Sequence, residues 1–228
     1  MVRPIKKKQI PNLQKAIKET AWRQIAESGA SALSLRGIAR ELKITAPAIY
    51  NYFPDRDALV TALIIDAFTS FGDWQIAARD AVPETNLKGR LEAIGLAYRD
   101  WALTFPQRYQ LIFGTPIPGY TAPLEETIPS SARSLTALVS VIEGLRLAGK
   151  LTVENFPKIK AEYKASFERW NTYEGADIVS LSVAMIVWSR VHGLVSLELQ
   201  GNLPPFGPKG DALYRYELEA IYQQFFKK

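Results

Sequence analysis

Residues Ser34 to Phe53, Ser-Leu-Arg-Gly-Ile-Ala-Arg-Glu-Leu-Lys-Ile-Thr-Ala-Pro-Ala-Ile-Tyr-Asn-Tyr-Phe, leave this chain little choice of local structure. Leu35, Ile38, Ala39 and Leu42 recur at i, i+3, i+4 and i+7, which is the apolar stripe of a helix. Ser34 stands just ahead of it, where a hydroxyl accepts one of the orphan N–H groups of a helix start. Lys43-Ile44-Thr45 makes a turn, with Ile44 directed inward and Thr45 placed to cap the next helix. Pro47 falls in the first turn of that helix, where its missing N–H does no harm. Ile49 and Phe53 face the core. Ala46, Ala48, Tyr50, Asn51 and Tyr52 are left on the other side, a set too polar and aromatic for a face that meets only water. Two short helices joined by a tight turn make a helix-turn-helix, whose second helix suits a DNA major groove.

The charge distribution agrees with that reading. Residues 1–60 hold 11 Lys and Arg against 5 Asp and Glu, whereas the remainder holds 17 against 18. All the excess positive charge of a chain with net charge +5 therefore lies on the helix-turn-helix segment, the electrostatic footprint of a nucleic-acid binder. Other chemistries are poorly provided for. With no cysteine there is no disulfide framework, thiolate metal site or cysteine nucleophile. The one histidine, His192, is the sole possible base for a Ser-His-Asp arrangement, and no nucleophile motif lies near it. Neither a phosphate-binding glycine loop nor a metal cluster is legible, so no enzyme activity, cofactor or metal is expected. The N-terminus, Met1-Val-Arg-Pro-Ile-Lys-Lys-Lys, lacks the apolar run of a signal peptide, which makes a cytoplasmic protein the expectation.

Taken in order, the chain reads as all-α. Residues 1–10 form a flexible basic arm in which Lys6, Lys7 and Lys8 would track phosphates or reach a minor groove. A first helix runs from near Asn12 to Ser28-Gly29, with Leu13, Ile17, Ala21 and Ile25 inward. After Pro54, Asp55 and Asp57 complement the positive start of a fourth helix that reaches about Phe71. Residues 74–82 extend it or begin a connector, and Val82-Pro83 breaks the chain. Further helices are expected over Leu87–Phe105, Gln107–Phe113, Pro129–Ala148, Gly175–Leu199 and Asp211–Phe226, with a short helix and a loop in 151–172. Three prolines and two glycines keep 114–123 irregular, and the prolines at 204, 205 and 208 mark another break. Ile178 to Ser189 carries no charge. A membrane span needs about twenty apolar residues, and Arg190 interrupts this run, so it reads as a helix buried on both sides, the second side belonging to another subunit. Leu213, Tyr216, Leu218, Ala220, Ile221, Phe225 and Phe226 give the last helix similar surplus, and the two would pair with their symmetry mates as a four-helix bundle. The expected organisation is an arm (1–10), a helix-turn-helix domain (11–53), a linking helix (54–82) and a C-terminal domain (83–228).

Residues 12–71 closely resemble the DNA-binding domain of TetR-family transcriptional regulators. The match is carried by Leu33-Ser34-Leu35-Arg36-Gly37-Ile38-Ala39, Ala46-Pro47-Ala48-Ile49-Tyr50-Asn51-Tyr52-Phe53 and Asp55-Arg56-Asp57-Ala58-Leu59, with Gly37 departing from the longer residue common at its place. Trp188, His192 and Gly193, with the Gly114–Tyr120 loop, resemble the tryptophan–histidine–glycine C-terminal group of that family. The resemblance implies a homodimeric regulator, commonly a repressor, on a palindromic double-stranded operator, with a ligand cavity in each subunit; an activator or an architectural DNA-binding protein without effector is the alternative. It puts the DNA contacts on the first turn of the second helix (Ser34, Leu35, Arg36) and on the third. Arg36 would pair with a guanine edge, Asn51 with an adenine, and Ala46, Pro47 and Ala48 with thymine methyls. Tyr50, Tyr52, Thr45 and Arg56 would hold phosphates. A small hydrophobic or aromatic effector is expected to meet aromatic side chains drawn from Trp101, Phe105, Tyr109, Phe113, Tyr120, Trp170 and Trp188, at least three of them lining the cavity, with His192 hydrogen-bonding it.

Overall fold

The computed structural model describes residues 11–154, 156–170, 175–203 and 210–227, the side chains of 168–170 excepted. The basic arm and the proline break after Leu203 lie outside the described residues. Among those described, all regular structure is helical, apart from one antiparallel bridge between Leu151 and Phe226. The chain packs into two compact units: Met1–Ile64 with Gln107–Pro123, and Ile65–Pro106 with Leu124–Lys228.

The first unit opens with α1 (Leu13–Ser28), capped by the Asn12 side chain, which accepts from the Lys15 amide at 3.1 Å. Gly29, at φ 79°, donates back to the Ile25 carbonyl and stops the helix. A single 3-10 turn, Ala30–Ala32, follows, a detail that residue spacing gave no reason to expect. Next come α2 (Leu35–Glu41) and α3 (Ala46–Tyr50). Ile17, Ala21, Ile38, Ile49 and Leu63 are wholly or almost wholly buried, so the stripes read from spacing do form one core. Asp55 caps α4 (Arg56–Asp80) by accepting from the Ala58 amide at 2.7 Å. This helix passes Phe71 and Gly72 without interruption and stops only before Val82-Pro83. The second segment of this unit brings the body of α6 (Pro106–Phe113) and the irregular loop after it. There Tyr120 shares a hydrogen bond with Thr61 at 2.9 Å, and the Arg108 guanidinium lies 5.3 Å from the Trp22 ring centroid.

The second unit is built from the remainder of α4, α5 (Leu87–Thr104), α7 (Leu124–Leu147), α8 (Ala161–Trp170), α9 (Ile178–Leu199) and α10 (Asp211–Phe225). α7 packs on both α5 and α9, and α10 packs on α9 and α5. α7 begins five residues before Pro129, which therefore sits inside the helix rather than starting it. As the sixth residue of the helix it lies past the four free N–H groups of the start, so it removes one bond of the ladder and its ring crowds the Glu125 carbonyl. α9 is apolar enough to cross a membrane by length and hydropathy, at a mean of 1.7. It nonetheless carries Arg190, bonded to Glu217 and Gln224 of α10, and the buried Glu198. Glu198 takes a two-pronged bond from Arg99 of α5 and the amide of Gly210, which ties three segments together.

Candidate nucleic-acid interface and interior cavity

Each helix of the reading head is fixed by its ends. Ser34 caps α2 as its position suggests, accepting from the Gly37 amide at 3.2 Å, while its own amide donates to Gln24 of α1. A side chain at Gly37 would come within 3.1 Å of the Gln24 amide nitrogen, so the missing Cβ leaves room for this packing. α2 ends in a Schellman turn: Ile44 N–H bonds to the Ala39 carbonyl at 3.0 Å and Lys43 N–H to that of Arg40 at 3.2 Å. Lys43 takes the left-handed conformation at φ 55°, a place usually held by glycine. Thr45 sits at the N-cap of α3 but makes no side-chain cap bond, contrary to the expectation; its exposed hydroxyl is left to face outward.

The remaining predicted DNA residues divide by exposure. Arg36, Pro47, Tyr50, Asn51 and Tyr52 are exposed, the two tyrosines at 44% and 45%, and Ala46 and Ala48 are half-buried. Leu35 is 7% exposed, so its side chain belongs to the core and only its backbone can reach a partner. Arg56 is likewise redirected. Its guanidinium donates to the carbonyls of Ala30 and Ser31 at 3.1 and 3.3 Å, clamping the 3-10 turn instead of presenting a free cation. Two cations missed by residue type take its place. Arg40 follows Arg36 one turn on along the outer face of α2, Lys43 stands in the turn just past its end, and none of the three has a hydrogen bond or ion pair among the described residues. Arg23 contrasts with them, being held by Glu41 at 2.7 Å and Thr20 at 2.9 Å. The signal for Arg40 lay in the sequence as helical spacing away from the apolar stripe.

The second unit holds a cavity of about 160 Å³. Aliphatic side chains make up much of its walls, among them Leu91 and Ile94 of α5, Leu138 of α7, Val187 and Val191 of α9, and Ile221 of α10. Gln75 lies 1% exposed in the wall with its amide satisfied by the Phe71 carbonyl and Ser134. Of the aromatic candidates among the described side chains only Trp188 lines this space, joined by Tyr98 and Tyr222. Trp101 is core, wholly buried and bonded through its indole N–H to Ser70 at 3.0 Å, with the Phe105 ring tilted against it 5.7 Å away. Tyr109, Phe113 and Tyr120 belong to the first unit. The Trp170 side chain lies outside the described residues. Aromatic residue type does not say which ring borders a void.

His192 stands behind the wall. Its ring stacks on Trp188 at 5.1 Å, and its Nδ1 shares a hydrogen bond with the Tyr98 hydroxyl at 2.9 Å. Burial lowers its pKa below the ordinary value of 6.5, so the imidazole is neutral near pH 7 and orients two lining aromatics.

A reading head with an unneutralised cationic face, on a chain whose other unit is a hollow helical body, defines a DNA-binding regulator of the helix-turn-helix class. Comparison with known proteins makes this more specific. The family model described as bacterial regulatory proteins, tetR family, matches residues 17–63, and that described as tetracyclin repressor-like, C-terminal domain, matches residues 91–221. The HTH-type transcriptional regulator Rv1816 of Mycobacterium tuberculosis is 33% identical over 200 residues, covering 83% of this chain and 82% of its own. Its counterpart Mb1846 of Mycobacterium bovis matches equally. Among solved structures, the candidate regulatory protein SCO4313 superposes with a TM-score of 0.74 at 35% identity over 94% of this chain and all of its own. A Rhodococcus protein of unknown function reaches 0.75 at 19% identity, a likeness of fold alone. The chain belongs to the TetR family of transcriptional regulators.

Proposed function

We propose that this regulator is a homodimeric repressor released from a palindromic operator by a small apolar effector. The observation that carries this reading is the pairing, on one chain, of an exposed face of tyrosines and of cations without partners among the described residues with a largely apolar cavity. Arg36 and Asn51 read base edges; Tyr50, Tyr52, Thr45, Arg40 and Lys43 hold phosphates; Pro47 with its flanking alanines allows close approach. The exposed Ile186 and Leu197 on α9 and Tyr216 on α10 support burial of those helices against a second copy. In such a dimer two α3 helices enter successive major grooves about 34–36 Å apart. The effector favours a conformer with the wrong spacing, and operator and effector then weaken each other reciprocally, by about 1–3 kcal/mol. An architectural protein without effector would have no use for the cavity.

The test is binding of the full chain to fluorescent DNA from its own upstream region, across a salt series, with and without single-ring apolar compounds. Sequence-selective binding by a dimer, released by one compound class, is expected. Binding that never discriminates sequence would refute the repressor reading.

A further inference from the structure

The rim of the cavity says more about its ligand than the walls do. An interior of about 160 Å³ matches the roughly 150 Å³ that suffices for benzene in an apolar protein cavity, so it has room for one ring. Four lining residues are charged: Lys88 and Glu92, one turn apart on α5, and Arg215 and Glu219, one turn apart on α10. All four are exposed, so the cavity meets solvent there. At Gly95 the two helices close: a Cβ would lie 2.7 Å from Leu218, and the Tyr214 hydroxyl of α10 bonds to the Gly95 carbonyl at 2.5 Å.

These charges are not equally available. Arg215 is engaged by Asp211 at 3.0 Å, and Lys88 by Glu219 at 3.3 Å. The Lys88 ammonium also lies 4.3 Å from the centroid of the Tyr222 ring. An alkylammonium thus already occupies a seat made of a carboxylate and an aromatic face at the cavity mouth, and it is the chain's own. Glu92, by contrast, has no hydrogen bond or ion pair among the described residues. A ligand carboxylate arriving here must break an existing ion pair to reach a cation and meets an unpaired anion as it does so. A ligand ammonium replaces Lys88 in kind and leaves it free to pair with Glu92, one turn away on α5.

We propose that the cavity takes a single-ring arylalkyl cation, an amine or quaternary ammonium, whose charged head displaces the Lys88 ammonium from between Glu219 and the Tyr222 ring. The ring enters the aliphatic interior beside Tyr98 and Trp188, and Lys88 acts as a tethered competitor for the head-group seat. This rests on the reading of the cavity as the effector site.

Calorimetric titration of the full-length protein with three probes sharing one body tests it: phenethylamine, neutral ethylbenzene and 3-phenylpropionate. The readout is the ratio of amine to ethylbenzene affinity, which cancels any loosening of the cavity by mutation. In the wild type the amine should bind about tenfold tighter than either other probe. Glu219→Gln and Glu92→Gln should each lower the ratio severalfold, and Lys88→Ala should raise it. Tighter binding of the propionate, or a ratio that does not fall in Glu219→Gln, overturns the proposal while leaving the effector reading intact. Failure of ethylbenzene both to bind and to release operator DNA would overturn the two together.

Discussion

The distinction between free and engaged cations on the reading head makes a quantitative prediction. Arg40 is exposed and has no partner among the described residues, whereas Arg23, also exposed, gives its guanidinium to Glu41 and Thr20. Removing a cation that neutralises one phosphate lowers the slope of log K against log salt by about 0.9 on duplex DNA. In the proposed homodimer every residue is presented twice, so Arg40→Ala should flatten the slope by about 1.8. Over a fourfold rise in salt, that difference removes roughly a twelvefold part of the salt-induced weakening. Arg23→Ala should leave the slope unchanged. It would cost only about 0–1 kcal/mol of stability, because its ion pair with Glu41 is exposed on both sides. The assay is fluorescence anisotropy of a labelled operator duplex between about 50 and 200 mM salt, with chemical unfolding of both variants measured alongside. Equal flattening by Arg23→Ala and Arg40→Ala would refute the reasoning, since the intramolecular bonds would then not be deciding which cations reach the phosphates. An unchanged slope in Arg40→Ala would refute it from the other side.

Three further outcomes follow from particular side chains. Ser34→Ala should cost about 1 kcal/mol of stability by removing the α2 cap, whereas Thr45→Ala, which removes no cap bond, should leave stability unchanged and weaken only operator binding; unfolding curves of the pair decide it. Glu143, buried and held by Arg146 and the Asp177 amide, has its pKa lowered from 4.5 to about 2. Its contribution, on the order of 3 kcal/mol, is present above pH 4.5 and lost as pH falls through about 2, so the advantage of wild type over Glu143→Gln in urea unfolding at pH 7 should vanish near pH 2. His192, the sole histidine, should titrate in NMR spectra below 6.5, and its resonances should move when a ligand meets Tyr98; a midpoint at or above 6.5 contradicts the buried, neutral ring.

The helix order and the reading head were legible because they depend on local chemistry. Helical spacing, a serine before α2, a proline in the first turn of α3 and an aspartate before α4 act within a few residues of themselves. Gly29 at positive φ stops α1 by the same kind of rule. Where a property depends on residues distant in the chain, sequence pattern no longer decides it. Arg56 looks like any other arginine beside a DNA-reading helix until the 3-10 turn offers it two carbonyls. Arg40 and Lys43 become candidates only because no described residue folds back to neutralise them. The grouping of Gln107–Pro123 with the reading head depends on pairings such as that of Tyr120 with Thr61, 59 positions apart. The cavity is the extreme case. Hydrophobicity determined that Trp101 and Leu91 would both be buried, since burial follows from the free energy of leaving water. Which of them touches a void is set by where five helices fail to fill the space between them, and that is a property of their packing together, carried by no residue alone.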